Sequence, residues 1–386
     1  MLALVFAEEH VAQLDQIRDE RLVVVGPGGV ALDLRLHAPA LAEFLGADFA
    51  FLAFGGGGLP NVSVAHGILC GAVSAFGKDA RALKDLAKIF GYLAAVIVLG
   101  ALLAPPLYWA AHWLAGHGIF PVLAEFKFQK FFNRAALLSA LLLLWPTVRA
   151  LRIGGWRDLG IAPDPRWRQH LLAGFVIAGV AVALLAAAYL YLGIYRIRPE
   201  VAWGKLAVIA LSAVTVAVLE ETLFRGAILG LLRRSLGPLV ALFWVTALFA
   251  IVHFLKPDER YDPGPVGWLS GFDLIPHTFH QFAQPMTLLA GFTTLFVLGG
   301  LCGDATLRTR ALWMSIGLHA GVVFVKMSFS VMAKFAVKTK HRDAYLPWVG
   351  ERFENGLAPV AVLLLAWLTV RLWLAYENRH HTPARG

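Results

Sequence analysis

Long apolar runs constrain the fold of this chain more than any other feature. A helix needs about 20 apolar residues to cross the hydrocarbon core of a bilayer. Of the 386 residues, 59% are hydrophobic and only 15% are charged, a composition that a soluble protein of this size could not bury. We therefore predict a polytopic membrane protein, an all-α bundle of about eight transmembrane helices. The candidate spans lie near residues 91–115, 135–151, 171–195, 204–232, 237–255, 285–302, 311–333 and 357–376.

The net charge of +9 reflects basic residues at the ends of the predicted spans. They form no stripe interleaved with aromatic residues, so nucleic acid is not a predicted partner. If eight spans alternate, one face of the membrane receives Lys78, Arg81, Lys84, Lys88, Arg149, Arg152, Arg157, Arg166, Arg168, Arg233 and Arg234. The opposite face receives a smaller group, between Lys334 and Arg342. The positive-inside rule then predicts a multi-pass protein of the cell membrane with both termini in the cytoplasm.

The first 89 residues differ from the rest of the chain. A short helix is predicted around Glu8 to Arg18, followed by two short strands, Arg21 to Val25 and Val30 to Leu36, joined by a glycine-rich turn. The later run Gly55 to Gly58 lacks the lysine and the hydroxyl residue of a phosphate-binding loop. We predict a small cytoplasmic α+β appendage at 1–89, a transmembrane core at 90–378 and a tail at 379–386.

Glu220 and Glu221 lie in a stretch that carries no other charge from Leu206 to Leu232 except Arg225. Carboxylates at that depth in a membrane helix cost several kcal/mol each unless they are paired or solvated, so they mark a functional cavity by default. Helical spacing places Arg225 one turn from Glu221, where an ion pair can form. Glu220 points about 100° away and is left available as a base.

Two histidines occupy similar apolar surroundings in later spans. Glu220 and His253 each lie some 14 to 15 residues from the turn that joins their spans, which corresponds to a depth of about 21 to 23 Å for both. They can therefore meet in an antiparallel pair of helices. His319 lies in the apolar segment that begins near residue 311.

A buried glutamate near two imidazoles is suited to activating water. The carboxylate takes a proton, one histidine orients the water, and the other donates a hydrogen bond to an oxyanion. Glu220, His253 and His319 could instead hold Zn²⁺ with an open position, although no His-Glu-x-x-His helix is present. Residues of these types could also serve an ion path, or simply pack and lock helices together, so these alternatives stay open.

Three motifs in order resemble those of the CAAX protease and bacteriocin-processing (CPBP, or Abi) family of intramembrane endopeptidases. They are Glu-Glu-x-x-x-Arg at 220–225, Phe-x-x-x-His at 249–253, and a membrane His followed by Ala at 319–320. The resemblance implies that Glu220 is the general base, with Glu221 and Arg225 supporting it. It also implies that His253 assists water activation, that Phe249 has a supporting role and that His319 contributes to an oxyanion hole.

The resemblance further implies hydrolysis of a peptide bond in a membrane-tethered protein or peptide, prenylated substrates being the best known of the family. Members have been named metalloproteases, but we expect a metal-free reaction without a cofactor because Arg225 would repel a divalent cation. Where the family usually has a polar residue four positions after its third-motif histidine, this chain has Val323. That departure favours an alternative, a non-enzymatic membrane scaffold or immunity factor of the same fold.

The segment at 256–284 connects the fifth and sixth candidate spans. His277 and His280 are three residues apart, a spacing that a metal could use on a helix, but Pro257, Pro263, Pro265 and Pro276 argue against a long helix. We predict a solvated loop there, and its length suggests that it gates the entry of substrate.

Overall fold

The computed structural model describes residues 23–25, 31–33, 80–150, 164–201, 203–234, 236–258, 260–336, 347–350, 353 and 356–381. The chain divides into two compact units, Met1–Gly71 and Ala72–Gly386. In the first unit, strand β1 (Val23–Val25) pairs antiparallel with strand β2 (Ala31–Asp33), as the sequence predicted. The predicted helix around Glu8, the glycine run at Gly55 to Gly58 and most of the predicted appendage lie outside the described residues.

The second unit is built from helices, which confirms the all-α fold class. The long helices are α1 (Ala80–Gly116), α2 (Phe128–Ala150), α3 (Trp167–Tyr191), α4 (Lys205–Glu221), α6 (Pro238–Val252), α8 (Pro285–Thr309), α9 (Trp313–Met332) and α10 (Ala358–His381). Among the described residues, seven helical segments are long and apolar enough to cross a membrane. Many of their exposed residues are apolar, such as Leu184, Val208 and Leu211, as expected where lipid is the solvent.

The fifth predicted span is shorter than expected. Helix α6 has 15 residues, from Pro238 after Gly237 to Val252, with His253 as its C-cap. At 1.5 Å per residue it is only about 22 Å long, less than the roughly 30 Å of a bilayer core. The segment that follows packs against the C-terminal half of α1, where the Trp109 indole donates a hydrogen bond to the Val266 carbonyl.

That following segment is an ordered structure. It contains a one-turn helix, α7 (Ser270–Asp273), and a 3₁₀ helix, Pro276–Ala283. Gly271 lies so close to the Ala101 backbone of α1 that a side chain would not fit there. Many residues of this segment are exposed, as expected for a solvated loop, but its short helices and its packing on α1 were not predicted.

The span that carries the glutamates changes its helical geometry in the middle. Helix α4 ends at Glu221, and a π-helical segment of seven residues, Thr222–Ile228, leads into the short helix α5 (Leu229–Leu232). Wider π turns are uncommon and occur frequently at functional sites. The sequence pattern, which assumed a regular helix, did not predict it.

Close packing of α3 against α9 sets the position of His319. Gly174 lies against the Met314 backbone, and Gly317 lies against the Leu171 backbone, with no room for a side chain at either glycine. Small residues of this kind let membrane helices approach closely without a hydrophobic driving force. Strands β3 (Tyr195–Ile197) and β4 (Ala333–Phe335) pair antiparallel beyond the ends of the same two helices.

Candidate active site

Glu221 is the buried centre of the polar cluster. Its side chain is 0% exposed, and its Oε1 atom accepts from Arg225 Nη1 at 2.9 Å, the ion pair predicted from the sequence. The same oxygen lies 2.8 Å from His319 Nδ1. Because a carboxylate only accepts hydrogen bonds, His319 must carry its proton on Nδ1 for this contact. Glu221 therefore links the π-helical segment to α9.

Arg225 is held by three elements at once. Besides Glu221, its guanidinium donates to the Gly299 carbonyl of α8 at 3.0 Å and lies over the ring of Phe249 in α6, 4.3 Å from the centroid. The Phe249 side chain is fully buried, and its ring also packs against His253 and His319. Phe249 thus packs against the arginine and both imidazoles and helps to fix all three.

Glu220 is less enclosed than its neighbour. Its side chain is 29% exposed, and its Oε2 atom lies 3.4 Å from His253 Nε2 and 3.8 Å from His319 Nε2. Within the described residues, this oxygen is buried and accepts no well-formed hydrogen bond. A buried polar atom in that state requires an explanation. Here Glu220 Oε2, His253 Nε2 and His319 Nε2 face one another, but at 3.4 and 3.8 Å the carboxylate oxygen forms no well-formed hydrogen bond with either imidazole.

His253 has a defined orientation. Its Nδ1 atom lies 2.7 Å from the Phe249 carbonyl, which can only accept, so Nδ1 carries the proton. In the neutral ring, Nε2 then has a free lone pair and faces Glu220. Because α6 ends at this residue, the imidazole reaches the cluster from a helix terminus and is 23% exposed.

A zinc site would need at least three donors around one point. In the part of the chain that the structure describes, no three His, Cys, Asp or Glu residues are placed to hold a metal ion. Glu220, His253 and His319 lie close together, but the Arg225 guanidinium contacts the carboxylate beside them. A guanidinium this close disfavours a divalent cation at these residues.

The other histidines singled out by the sequence have their contacts outside this cluster. His277 stacks on Tyr261, and His280 Nδ1 bonds to the His277 carbonyl, so both are used in ordering the segment after α6. Cys302, in α8, is fully buried. Val323 lies one helical turn beyond His319 and is half-buried.

Two features of the candidate site could not be predicted from the sequence. The Gly299 carbonyl carries no side-chain signal, and the π-helical segment cannot be recognised from apolar periodicity. Asp304 was also missed because α8 continues to Thr309, seven residues beyond the predicted end at 302. Its pairing with Arg308, four residues later, would have been a usable signal.

The fold and the cluster together define a polytopic membrane protein with a glutamate–histidine site inside its helix bundle. Residues 202–325 match the family model of the type II CAAX prenyl endopeptidases, Rce1-like. The match confirms the family resemblance predicted from the three motifs, and the matched segment contains all six candidate site residues. At the level of the family, it supports an intramembrane endopeptidase. Comparisons with curated proteins and with solved structures gave no match.

Proposed function

We propose that this protein is an intramembrane endopeptidase in which Glu220 activates water without a metal. The observation that carries the proposal is the convergence of Glu220 Oε2 with two imidazole Nε2 atoms, at 3.4 and 3.8 Å. Glu221, the adjacent carboxylate, is neutralised by Arg225. Of the two glutamates, Glu220 is the one whose carboxylate faces both imidazole Nε2 atoms.

The first step is attack of water on the scissile carbonyl. Glu220 Oε2 and the lone pair of His253 Nε2 are both acceptors and lie 3.4 Å apart, which leaves no room for a water between them. The attacking water therefore approaches from beside the pair, where its two protons are directed at the two acceptors. One proton passes to Glu220 as the water oxygen bonds to the carbonyl carbon. The carbonyl oxygen becomes an oxyanion.

His319 stabilises that oxyanion when both ring nitrogens are protonated. Nδ1–H is held by Glu221, and Nε2–H then points toward the reacting centre. The proton on Glu220 is delivered to the leaving amine as the tetrahedral intermediate collapses, so the carboxylate is regenerated. Arg225 and Phe249 are positioning residues, since they contact Glu221 and the two imidazoles but not the reacting atoms.

The proposed substrate is a membrane-tethered protein or peptide, with or without a prenyl group, that reaches Glu220 and the two imidazoles between α4, α6 and α9. The exposure of Glu220 and His253, at 29% and 23%, supports entry on their side of the cluster. The location we propose is the cell membrane, with both termini in the cytoplasm. This orientation requires that α6 and its following segment together make one crossing, so that the number of crossings is even.

The test compares wild type with E220Q, which is nearly isosteric at a side chain without a well-formed hydrogen bond. Both are purified in detergent and assayed with fluorogenic prenylated and unprenylated C-terminal peptides, with and without chelator. Loss of cleavage in E220Q, at an unchanged unfolding midpoint and without an effect of chelator, supports the proposal. Loss with chelator and recovery with Zn²⁺ would overturn the metal-free mechanism.

A non-enzymatic scaffold is the second candidate, and Val323 is the observation in its favour. If wild type cleaves no peptide while E220Q retains binding of a partner protein, the scaffold replaces the protease.

A further inference from the structure

A cavity of about 580 Å³ lies between the end of α5, the start of α6 and the end of α8. Its charged lining consists of Arg225, Arg233, Arg308, Arg310 and Asp304. Of these, only Arg225 belongs to the candidate active site, where it supports Glu221. A cavity with four arginines and one carboxylate in a bundle this apolar has no role in the proposed hydrolysis.

The charges in this cavity do not cancel. Arg225 is paired with Glu221, and Arg308 Nε donates to both oxygens of Asp304 at 3.0 Å. In the described part of the chain, the exposed side chains of Arg233 and Arg310 have no acidic partner. Two positive charges at the cavity therefore remain to be balanced.

Asp304 fixes the orientation of this basic lining. In addition to Arg308, it accepts from Trp367 Nε1 at 2.8 Å and from Arg371 Nε at 3.0 Å, so its own charge is compensated. Because Arg308 bonds through Nε, its terminal nitrogens remain directed away from this contact. An anion entering the cavity meets a satisfied carboxylate and three guanidinium groups.

The cavity also has apolar walls beside its basic groups. Leu239 is 55% exposed, and Leu229 and Leu307 line the same space. Arg233 and Arg310 follow the last turns of α5 and α8, which are the ends of membrane-spanning segments. Arg310 adopts a left-handed backbone, with φ of 54°, a conformation in which glycine would be less strained. Basic pockets between helices at this level of a membrane suit lipid head groups.

We propose that this cavity binds the phosphate group of an anionic phospholipid through Arg233, Arg308 and Arg310. Guanidinium groups form charge-assisted, often bidentate hydrogen bonds to phosphate, and the leucine walls accept the first carbons of the acyl chains. A soluble phosphate offers the same anion without the chains. The site is independent of peptide hydrolysis, so it can be tested whether or not the proposed protease activity is found.

The test measures binding to the detergent-purified, delipidated full chain by calorimetric titration. The probes are dioctanoyl phosphatidylglycerol, dioctanoyl phosphatidylcholine and inorganic phosphate at constant ionic strength. The variant is R233Q/R310Q, and its matched control is R149Q/R168Q. The control removes two exposed arginines at the same end of the bundle. Arg149 follows Val148, which packs in one cluster with Leu232 and Leu236 on either side of Arg233 in the sequence. Arg168 follows Trp167, which contacts Trp313, three residues after Arg310.

We expect wild type and the control to bind phosphatidylglycerol more tightly than phosphatidylcholine. R233Q/R310Q should bind it about ten-fold more weakly or worse. Equal binding of inorganic phosphate would identify a soluble phosphate as the source. No binding by wild type, or equal losses in both double variants, would overturn the proposal. If R233Q/R310Q does not fold, the single R233Q and R310Q variants decide the question, each with an expected loss of about three-fold.

Discussion

Two buried carboxylates in this bundle have the same local partner but different surroundings. Glu221 pairs with Arg225, and Asp304 pairs with Arg308, each four residues later on the same span. Asp304 is otherwise surrounded by donors, Trp367 and Arg371. Glu221 has a second carboxylate beside it, Glu220, and two imidazoles facing that neighbour. An acid–arginine pair alone therefore does not distinguish the candidate site; what distinguishes it is the adjacent Glu220, whose Oε2 atom lacks a well-formed hydrogen bond.

The largest effect is expected when the buried arginine is removed from the Glu221 pair. In R225Q, the Glu221 carboxylate stays buried with its charge uncompensated, so the free energy of unfolding should fall by about 3–5 kcal/mol. Denaturant unfolding in detergent measures it. The double variant E221Q/R225Q removes both charges and should recover part of the loss. A double variant less stable than R225Q would contradict the pairing.

The next effect concerns activity alone. In H253Q, the ring that faces Glu220 is lost from a partly exposed helix terminus, and kcat should fall about a hundred-fold, as for one general acid–base group. The unfolding midpoint should change little. The control is H280Q, at a histidine that bonds only within the segment after α6. Equal kcat in H253Q and wild type would remove His253 from the mechanism.

A smaller effect, on stability but not activity, is expected at Asp304. In D304N, the donors around this side chain lose a charged acceptor, which should cost about 1–3 kcal/mol of unfolding free energy. Because Arg308 and Arg371 are partly exposed, water can replace some of the loss. A fall in kcat comparable to that of H253Q would show that the two clusters are coupled.

The smallest effect tests the position one turn beyond His319. V323N adds a hydrogen-bond donor to a half-buried position and should raise kcat a few-fold, well below the roughly hundred-fold that a preorganised oxyanion donor supplies. V323A is the control for the change in size. A lower kcat in V323N than in V323A would indicate that Val323 is needed for packing.

Much of the fold was predictable because the bilayer imposes simple rules on sequence. Length and hydropathy indicated the eight long helices of the described residues, since a helix must satisfy its backbone within itself in lipid. They overestimated the length of the fifth, α6, which ends at Val252 and is followed by an ordered segment. That outcome depends on packing against α1, which hydropathy does not encode.

The sequence by itself determined the helix bundle, the Glu221–Arg225 pair and the similar depth of Glu220 and His253, because all of these follow from helical spacing and from the cost of burying charge. Only the tertiary structure decided which imidazole nitrogen faces which carboxylate, that Phe249 and the Gly299 carbonyl hold Arg225, and that a π-helical segment follows the glutamates. These features depend on contacts between elements distant in the chain. Local propensities carry no information about such contacts.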